Sequence, residues 1–439
     1  MITQIDLRDF KSFSNATVRF GDLTMLIGAN ASGKSNLRDA LRFLHGVGLA
    51  NSLAEIIGPK YGEGGILQWR GIRGGVREIT RFAAHRFGVG ASVRSVHGEL
   101  HYWITVEIGD KALGPQVVEE HLYANGEMVF DSSPDDDPIT DQGPSHELRV
   151  RLPRGGRHRK HGQVLSVTAS RPAVTQIARH DRAPGPQAAV CKSLQSFLSS
   201  IRFLDLDPEA MRQASQPGQT ILGDRGENLS SVLQGLCQDE SMKAALMQWI
   251  QALTPLDAAD LKFPQDHSGQ VLVHLVEGED RLISANSASD GTLRFLALIA
   301  ALLSNDSGQV YVFEELDNGI HPARLSLLLQ LLEQACSKPK HQVIATTHQV
   351  IATTHHPSLL AFLSPEARDA ALVVTRRESD GASAITRVMD LPSIREVMES
   401  ESLGQLHEAG WFETVAAFIE DVDEAGDDSV ELTNGKEES

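Results

Sequence analysis

The chain has 439 residues, 41% of them hydrophobic, and a formal net charge of −18. That length supports two or three packed lobes with a full core, and the acidic balance excludes a protein that coats nucleic acid over its whole surface. No run approaches the roughly 20 apolar residues of a membrane helix, and the N-terminal MITQIDLRDF reads as a strand rather than a signal peptide.

Residues 1–50 read as strand, turn, strand, loop, helix. Thr24 to Ile27 (TMLI) predicts a short buried strand, and Asn36 to Leu44 (NLRDALRFL) a helix with an apolar stripe. Between them lies GANASGKS, Gly28 to Ser35. A glycine-rich loop between a strand and a helix points backbone N–H groups and the positive helix end at an anion. Asn30, Ala31, Ser32, Gly33, Lys34, Ser35 and Asn36 are therefore candidate ATP contacts. Lys34 is placed to reach the β- and γ-phosphates and the Ser35 hydroxyl to sit on Mg²⁺. Gly28 and Gly33 leave room for the backbone to close on the anion.

Residues 51–205 change character, with glycine-rich turns between short alternating strands. Glu99 to Gly109 and His121 to Phe130 are examples, and Asn125-Gly126 signals a two-residue hairpin turn. This range is expected to be a β-rich insertion lobe, closing with a helix that runs into an extended segment over Leu194 to Phe203. Within it, Arg149 to His161 carries six Arg or Lys in thirteen residues; it is either a phosphate-backbone contact or a basic surface loop. Residues 206–284 predict a helical lobe over Asn228 to Leu253, followed by a hairpin over Val271 to Ser284.

From 285 to 400 the α/β alternation returns. Helices are expected over Thr292 to Leu303, Ala323 to Ala335 and Ser358 to Leu363. Strands are expected at Val310 to Phe313, near Val343 or Val350, and at Ala371 to Thr375. Strand–helix alternation on both sides of the middle region implies one discontinuous domain with a mostly parallel sheet. A C-terminal helix (401–419) and a disordered tail (420–439) follow, the tail holding nine Asp or Glu and one Lys. Cys191, Cys237 and Cys336 lie far apart without a CxxC pair, so no disulfide framework or zinc site is expected, and the expected setting is reducing and cytoplasmic.

The strand VYVF (Val310 to Phe313) ends in Glu314-Glu315. A carboxylate at a strand tip beside a P-loop suits a Mg²⁺ ligand, usually through water, and here that is Glu314. The next, Glu315, is placed to polarise or deprotonate an attacking water. Just upstream, Ser289 and Gly291 open a long helix, giving a second anion site that the chain's own P-loop does not need.

These segments, in this order, resemble the heads of ABC-type ATPases, in particular the soluble RecF/SMC-like branch with its OLD-like members. SASDGTLRFLAL is similar to the signature segment, VYVFEELDNGIHP to the Walker B strand and following loop, and ATTHHPSLL to the switch-histidine loop. The resemblance is strong over about residues 1–45 and 285–365 and weak between. It implies an α/β P-loop ABC-type ATPase core with a mostly parallel sheet, an antiparallel β-rich insertion and a small helical lobe. It also implies a head-to-head homodimer sandwiching two ATP molecules, with Ser289 and Gly291 of one chain closing over nucleotide held by the other. Asp317 then takes the dimer-contacting loop position. Glu314 departs from the wider superfamily, where Asp is the commoner Mg²⁺-side residue. QVIATTH occurs in tandem, at Gln342–His348 and Gln349–His355. The switch role therefore falls to His355, which directly precedes a helix start at Pro357, or alternatively to His348.

Between Lys34 and Ser289 there is no long heptad run, so a DNA-tethering coiled coil is not expected. A metal-dependent nuclease in the same chain is not expected either, because its nearest carboxylates, Asp421 and Asp423, fall in the tail. The expectation is an ATPase whose dimer closing regulates DNA maintenance or defence against foreign DNA, with DNA and an effector protein in trans as partners and no membrane. The alternative is a nucleotide-gated protein scaffold with slow hydrolysis and no direct DNA contact.

Overall fold

The computed structural model describes residues 1–65, 67–109, 114–132, 146–153, 162–253, 258–278, 281–304, 310–318, 324–336, 348–354, 357–377, 379–391 and 394. The strands begin with β1 (Ile2–Phe10), β2 (Phe13–Arg19), β3 (Leu23–Ile27), β4 (Lys60–Tyr61), β5 (Leu67–Trp69), β6 (Arg86–Ser95) and β7 (Gly98–Ile108). Next come β8 (Pro115–Ala124), β9 (Glu127–Asp131), β10 (Glu147–Leu152), β11 (Gln163–Thr168), β12 (Ile201–Leu204) and β13 (Ala258–Lys262). The last are β14 (His274–Glu277), β15 (Arg281–Ser284), β16 (Val310–Phe313), β17 (Gln349–Thr354), β18 (Leu372–Arg376) and β19 (Ser383–Arg387).

Two sheets carry the architecture. The first is antiparallel, in the order β11-β10-β9-β8-β7-β6-β1-β2. Its strands alternate as a half-buried sheet should: in β7, Leu100, Tyr102, Ile104 and Val106 point inward. Asn125 and Gly126 both take positive φ, 51° and 77°, as a two-residue primed hairpin turn requires. The second sheet has the order β12-β16-β17-β3-β18-β19 and is parallel except for the β18–β19 pair. Its central strand β3 is buried at all five positions, the pattern of a strand covered on both faces.

The period of two along the parallel strands divides two cores. Leu26, Val312, Ile351 and Leu372 face the cluster shared with the antiparallel sheet. There the helix Lys34–Gly48 is wedged between the sheets, with Phe43 and Phe10 each edge-on to Phe87 at 5.4 and 5.6 Å. Met25, Ile27, Tyr311, Phe313, Val350 and Ala352 face the other cluster, beneath the helices Asp290–Leu303 and Leu325–Cys336. The helices Leu229–Leu236 and Glu240–Leu253 and the small sheet β13-β14-β15 contribute to that second cluster.

Three details differ from the sequence reading. Strands β6–β11 extend the sheet begun by β1 and β2, so residues 51–205 share a sheet with 1–50. Strand β12, read as the end of that lobe, is the edge of the parallel sheet and pairs with β16. The segment expected as a helix from Ser358 is a 3₁₀ stretch, Pro357–Phe362. The expected 401–419 helix and 420–439 tail lie outside the described residues.

Candidate functional site

The loop leaving β3 turns through Gly28 (φ 154°), Ala31 (φ 65°) and Gly33 (φ 122°) into the helix Lys34–Gly48. Both glycines are required by neighbouring protein. A Cβ on Gly28 would stand 2.3 Å from the carbonyl oxygen of Val374, and one on Gly33 would stand 2.2 Å from Ser383 Oγ. Strands β18 and β19 therefore pack against the loop where a side chain would otherwise stand. Ser383 Oγ lies 2.6 Å from both Ser32 O and Ser12 Oγ, and Asn36 Nδ2 donates to Ser12 Oγ at 2.7 Å. Gly33 at the N-cap brings no capping side chain, which suits a helix end meant to face an anion.

The loop lines a cavity of about 360 Å³, walled by residues 29–36, Arg73, Glu314, Glu315 and Thr353. All seven predicted loop residues are therefore in one pocket with both predicted carboxylates. Lys34 is buried, its Nζ donating to Gly28 O at 2.5 Å and Ala29 O at 2.8 Å. Ser35 Oγ donates to Glu314 Oε1 at 3.0 Å. Adjacent ligands of an octahedral Mg²⁺ at 2.0–2.1 Å stand about 2.9 Å apart, so this hydroxyl and carboxylate fit one shared ion or its water. Among the described residues no group of three or more His, Cys, Asp or Glu could hold a metal, which leaves phosphate oxygens and water to complete such a shell.

Glu315 sits at positive φ, 49°, unusual for a glutamate. Its N–H donates to Thr353 Oγ1 at 2.9 Å, and the next N–H, of Leu316, donates to Thr353 O at 3.1 Å. Asn318 Nδ2 donates to Glu315 Oε2 at 3.1 Å. The tip of β17 thus holds the turn after β16 in a strained shape, as functional loops often are.

The second QVIATT copy forms β17. It runs parallel to β3 with Thr354 opposite Ile27, so its C-terminal end reaches the P-loop. His355 follows that end and lies outside the described residues. His348 precedes the strand, at the end away from the P-loop. It is 2% exposed, edge-on to Tyr311 at 4.9 Å, and its N–H donates to Ala335 O. The alternative switch assignment to His348 is corrected on this ground: a packed core histidine at the wrong end of the strand cannot reach the pocket.

Ser289 caps the helix Asp290–Leu303, its Oγ accepting from Thr292 N at 3.2 Å. Ser289 is exposed, Gly291 half-buried, and neither lines the P-loop cavity of its own chain. Arg212 braces this helix start through Asp290 Oδ1 at 2.7 Å and Ala288 O at 3.1 Å. Asp317 is half-buried in the turn after β16, and Arg294 Nη1 of the same helix donates to Asn318 O at 3.1 Å.

Sequence reasoning missed Arg73, Arg38 and Asp205. Arg73 enters the pocket wall with its Nε 3.1 Å from Asp39, while Lys11 binds both Asp39 (3.1 Å) and Arg73 O (2.7 Å). Arg38, one turn into the P-loop helix, donates to Glu314 Oε2 at 2.8 Å and is ion-paired with Asp205 just past β12. Burial opposes charge on both members of that pair but their mutual attraction outweighs it: Arg38 stands above its ordinary range and Asp205 below the usual carboxylate range. The Asp39 and Arg38 positions were readable as polar breaks in the helix stripe, but their partners are 34 and 167 residues away.

The family described as "AAA domain, putative AbiEii toxin, Type IV TA system" matches residues 23–361, from β3 through the P-loop and both glutamates to the segment after β17. The chain belongs to that family. Among solved structures, this AAA-domain protein is similar to an SMC head bound to the C-winged helix domain of ScpA, at 15% identity and a TM-score of 0.50 over 88% of this chain and 97% of that one. It is also similar to the SMC head domain from Thermotoga maritima (17% identity, TM-score 0.40, 88% and 98% covered). An SMC head with extended coiled coil from Pyrococcus furiosus, bound to the C-terminal domain of ScpA, is a third (12% identity, TM-score 0.46, 91% and 98% covered). No curated protein is significantly similar in sequence. The fold of this AAA-domain family member is that of an ABC-type, SMC-like P-loop ATPase head, as the sequence resemblance implied.

Proposed function

We propose that the protein binds and hydrolyses ATP with Mg²⁺, and that two copies close head to head over two nucleotides. The observation that carries this reading is the half-built pocket. Residues 29–36 and both glutamates share one cavity, whereas Ser289 and Gly291 belong to a different surface of the same chain. A second copy would supply them.

Bound Mg²⁺ would neutralise phosphate charge and polarise the γ-phosphoryl group. Ser35 and Glu314 would hold it, and Lys34 would exchange its loop carbonyls for phosphate oxygens. Glu315, oriented by Thr353 and Asn318, is the assigned base for water, with His355 next along the chain from β17 as the assigned switch. Lys34→Ala is expected to abolish nucleotide binding, measured by titration with a fluorescent ATP analogue; unchanged affinity would remove the reading.

The closing motion is proposed to regulate DNA maintenance or defence against foreign DNA through an effector in trans. Of the basic segment that would touch DNA, Arg149 on β10 is exposed and Arg151 is buried, residues 154–161 lying outside the described residues. The scaffold alternative draws support from the outer face of the antiparallel sheet. A hollow of about 650 Å³ there mixes Asp6, Glu99 and Glu119 with Arg8, Arg19 and His101. Mixed charge suits a protein surface better than a phosphate backbone.

A further inference from the structure

Glu314 has both carboxylate oxygens engaged: Oε1 accepts from Ser35 Oγ at 3.0 Å and Oε2 from Arg38 Nη1 at 2.8 Å. Ser35 is the partner a P-loop metal site demands. Arg38 is not, since a guanidinium on the metal-side carboxylate brings positive charge to the place a divalent cation would occupy. The Arg38 side chain is 7% exposed and lies over the Phe203 ring at 5.7 Å, so it is held largely out of solvent. Its second arm already holds Asp205, at the mouth of the edge strand β12. Arg42 adds a second guanidinium, 4.0 Å from Asp205 and 4.9 Å over the same ring.

We infer that Arg38 is an internal counter-cation that bridges Glu314 and Asp205 in the nucleotide-free protein, and that it releases Glu314 and is held by Asp205 alone when the metal–nucleotide complex binds. This rests on the nucleotide-site reading and adds a term to it. Glu314 alternates between two positive partners, and Asp205 is the acceptor that makes the exchange favourable. The arrangement keeps the glutamate aimed at Ser35 before nucleotide arrives. It also suppresses binding of a bare divalent ion, because two like charges cannot share the carboxylate without repulsion.

The two partners of Arg38 yield opposite expectations. With Arg38→Gln, the nucleotide-free protein should bind Mn²⁺ more tightly than wild type by on the order of 10-fold or more, the size of coupling found between close charge pairs. Paramagnetic resonance of free Mn²⁺ reads this without any turnover. Arg38→Lys, which keeps the charge and loses the fork, should fall between. With Asp205→Asn, Arg38 is left to Glu314 alone. Affinity for ATP in Mg²⁺ should then weaken on the order of 10-fold, while affinity for ATP in chelator stays within about 2-fold of wild type. Circular dichroism confirms folding in each case, and the Asp205 variant serves if the Arg38 variants do not fold. Wild-type Mn²⁺ affinity in folded Arg38→Gln, or equal loss with and without Mg²⁺ in Asp205→Asn, overturns the exchange. Failure of the wild type itself to bind ATP in either condition would instead overturn the nucleotide-site reading.

Discussion

Glu120 is fully buried on β8 and accepts three hydrogen bonds, from Tyr102 Oη (3.0 Å), Ala173 N (2.6 Å) and Val174 N (2.8 Å). Burial pushes its pKa up from 4.5 to about 7, against the downward pull of those donors. A carboxyl raised on folding contributes stability that is full below its unfolded pKa, near 4.5, and is lost as pH rises through about 7. Denaturant unfolding should therefore show this contribution falling between about pH 4.5 and 7, by up to roughly 3 kcal/mol. Glu120→Gln should flatten that part of the profile, and an unaltered slope would refute the assignment. In the nucleotide pocket, Gly33→Ala would force a Cβ to 2.2 Å from Ser383 Oγ at φ 122°. A loss of about 2 kcal/mol or more in stability is expected from thermal or urea unfolding, together with weakened ATP binding.

At the scale of elements, Gln349 joins the two sheets. It is 3% exposed at the start of β17; its Oε1 accepts from Ile2 N at 2.9 Å, and its Nε2 donates to Ile2 O at 2.7 Å and Gly21 O at 2.9 Å. Gln349→Leu strands those backbone groups in the core, and urea unfolding should register a loss of about 3 kcal/mol; a loss below about 0.5 kcal/mol would show that they find other partners. This residue also explains what the sequence could and could not disclose. The P-loop, Val310 to Phe313 and the paired glutamates were legible because strand, loop and helix are contiguous there and the periodicity changes sharply at Gly28. The tandem QVIATTH was not, because both copies have the same side chains; the choice is made by contacts to Ile2 and Gly21, over 300 residues distant in sequence. The same holds for β12, whose four residues join the edge of the parallel sheet only by pairing with Val310 to Phe313. Arg38 meets Asp205, and Arg73 meets Asp39, through long-range pairing for which no local spacing exists.

For the whole molecule, the layers set the P-loop and Walker B ends of the parallel strands in one pocket while the Ser289 helix start opens elsewhere. If a second chain completes the site, as proposed, dimerisation should depend on nucleotide, and any DNA contact should be salt-dependent and strengthened by closure. Filter binding at about 50 and 200 mM salt separates the two readings: a steep loss of affinity supports direct phosphate contact, and absence of binding at either supports the scaffold. The central claim, that a second chain completes the site, is tested by the solution mass of Glu315→Gln with and without Mg·ATP. The variant should retain ATP binding, lose about 10²-fold or more in hydrolysis, and double in mass only with nucleotide. A protein that binds ATP yet keeps the same mass in both conditions would contradict it.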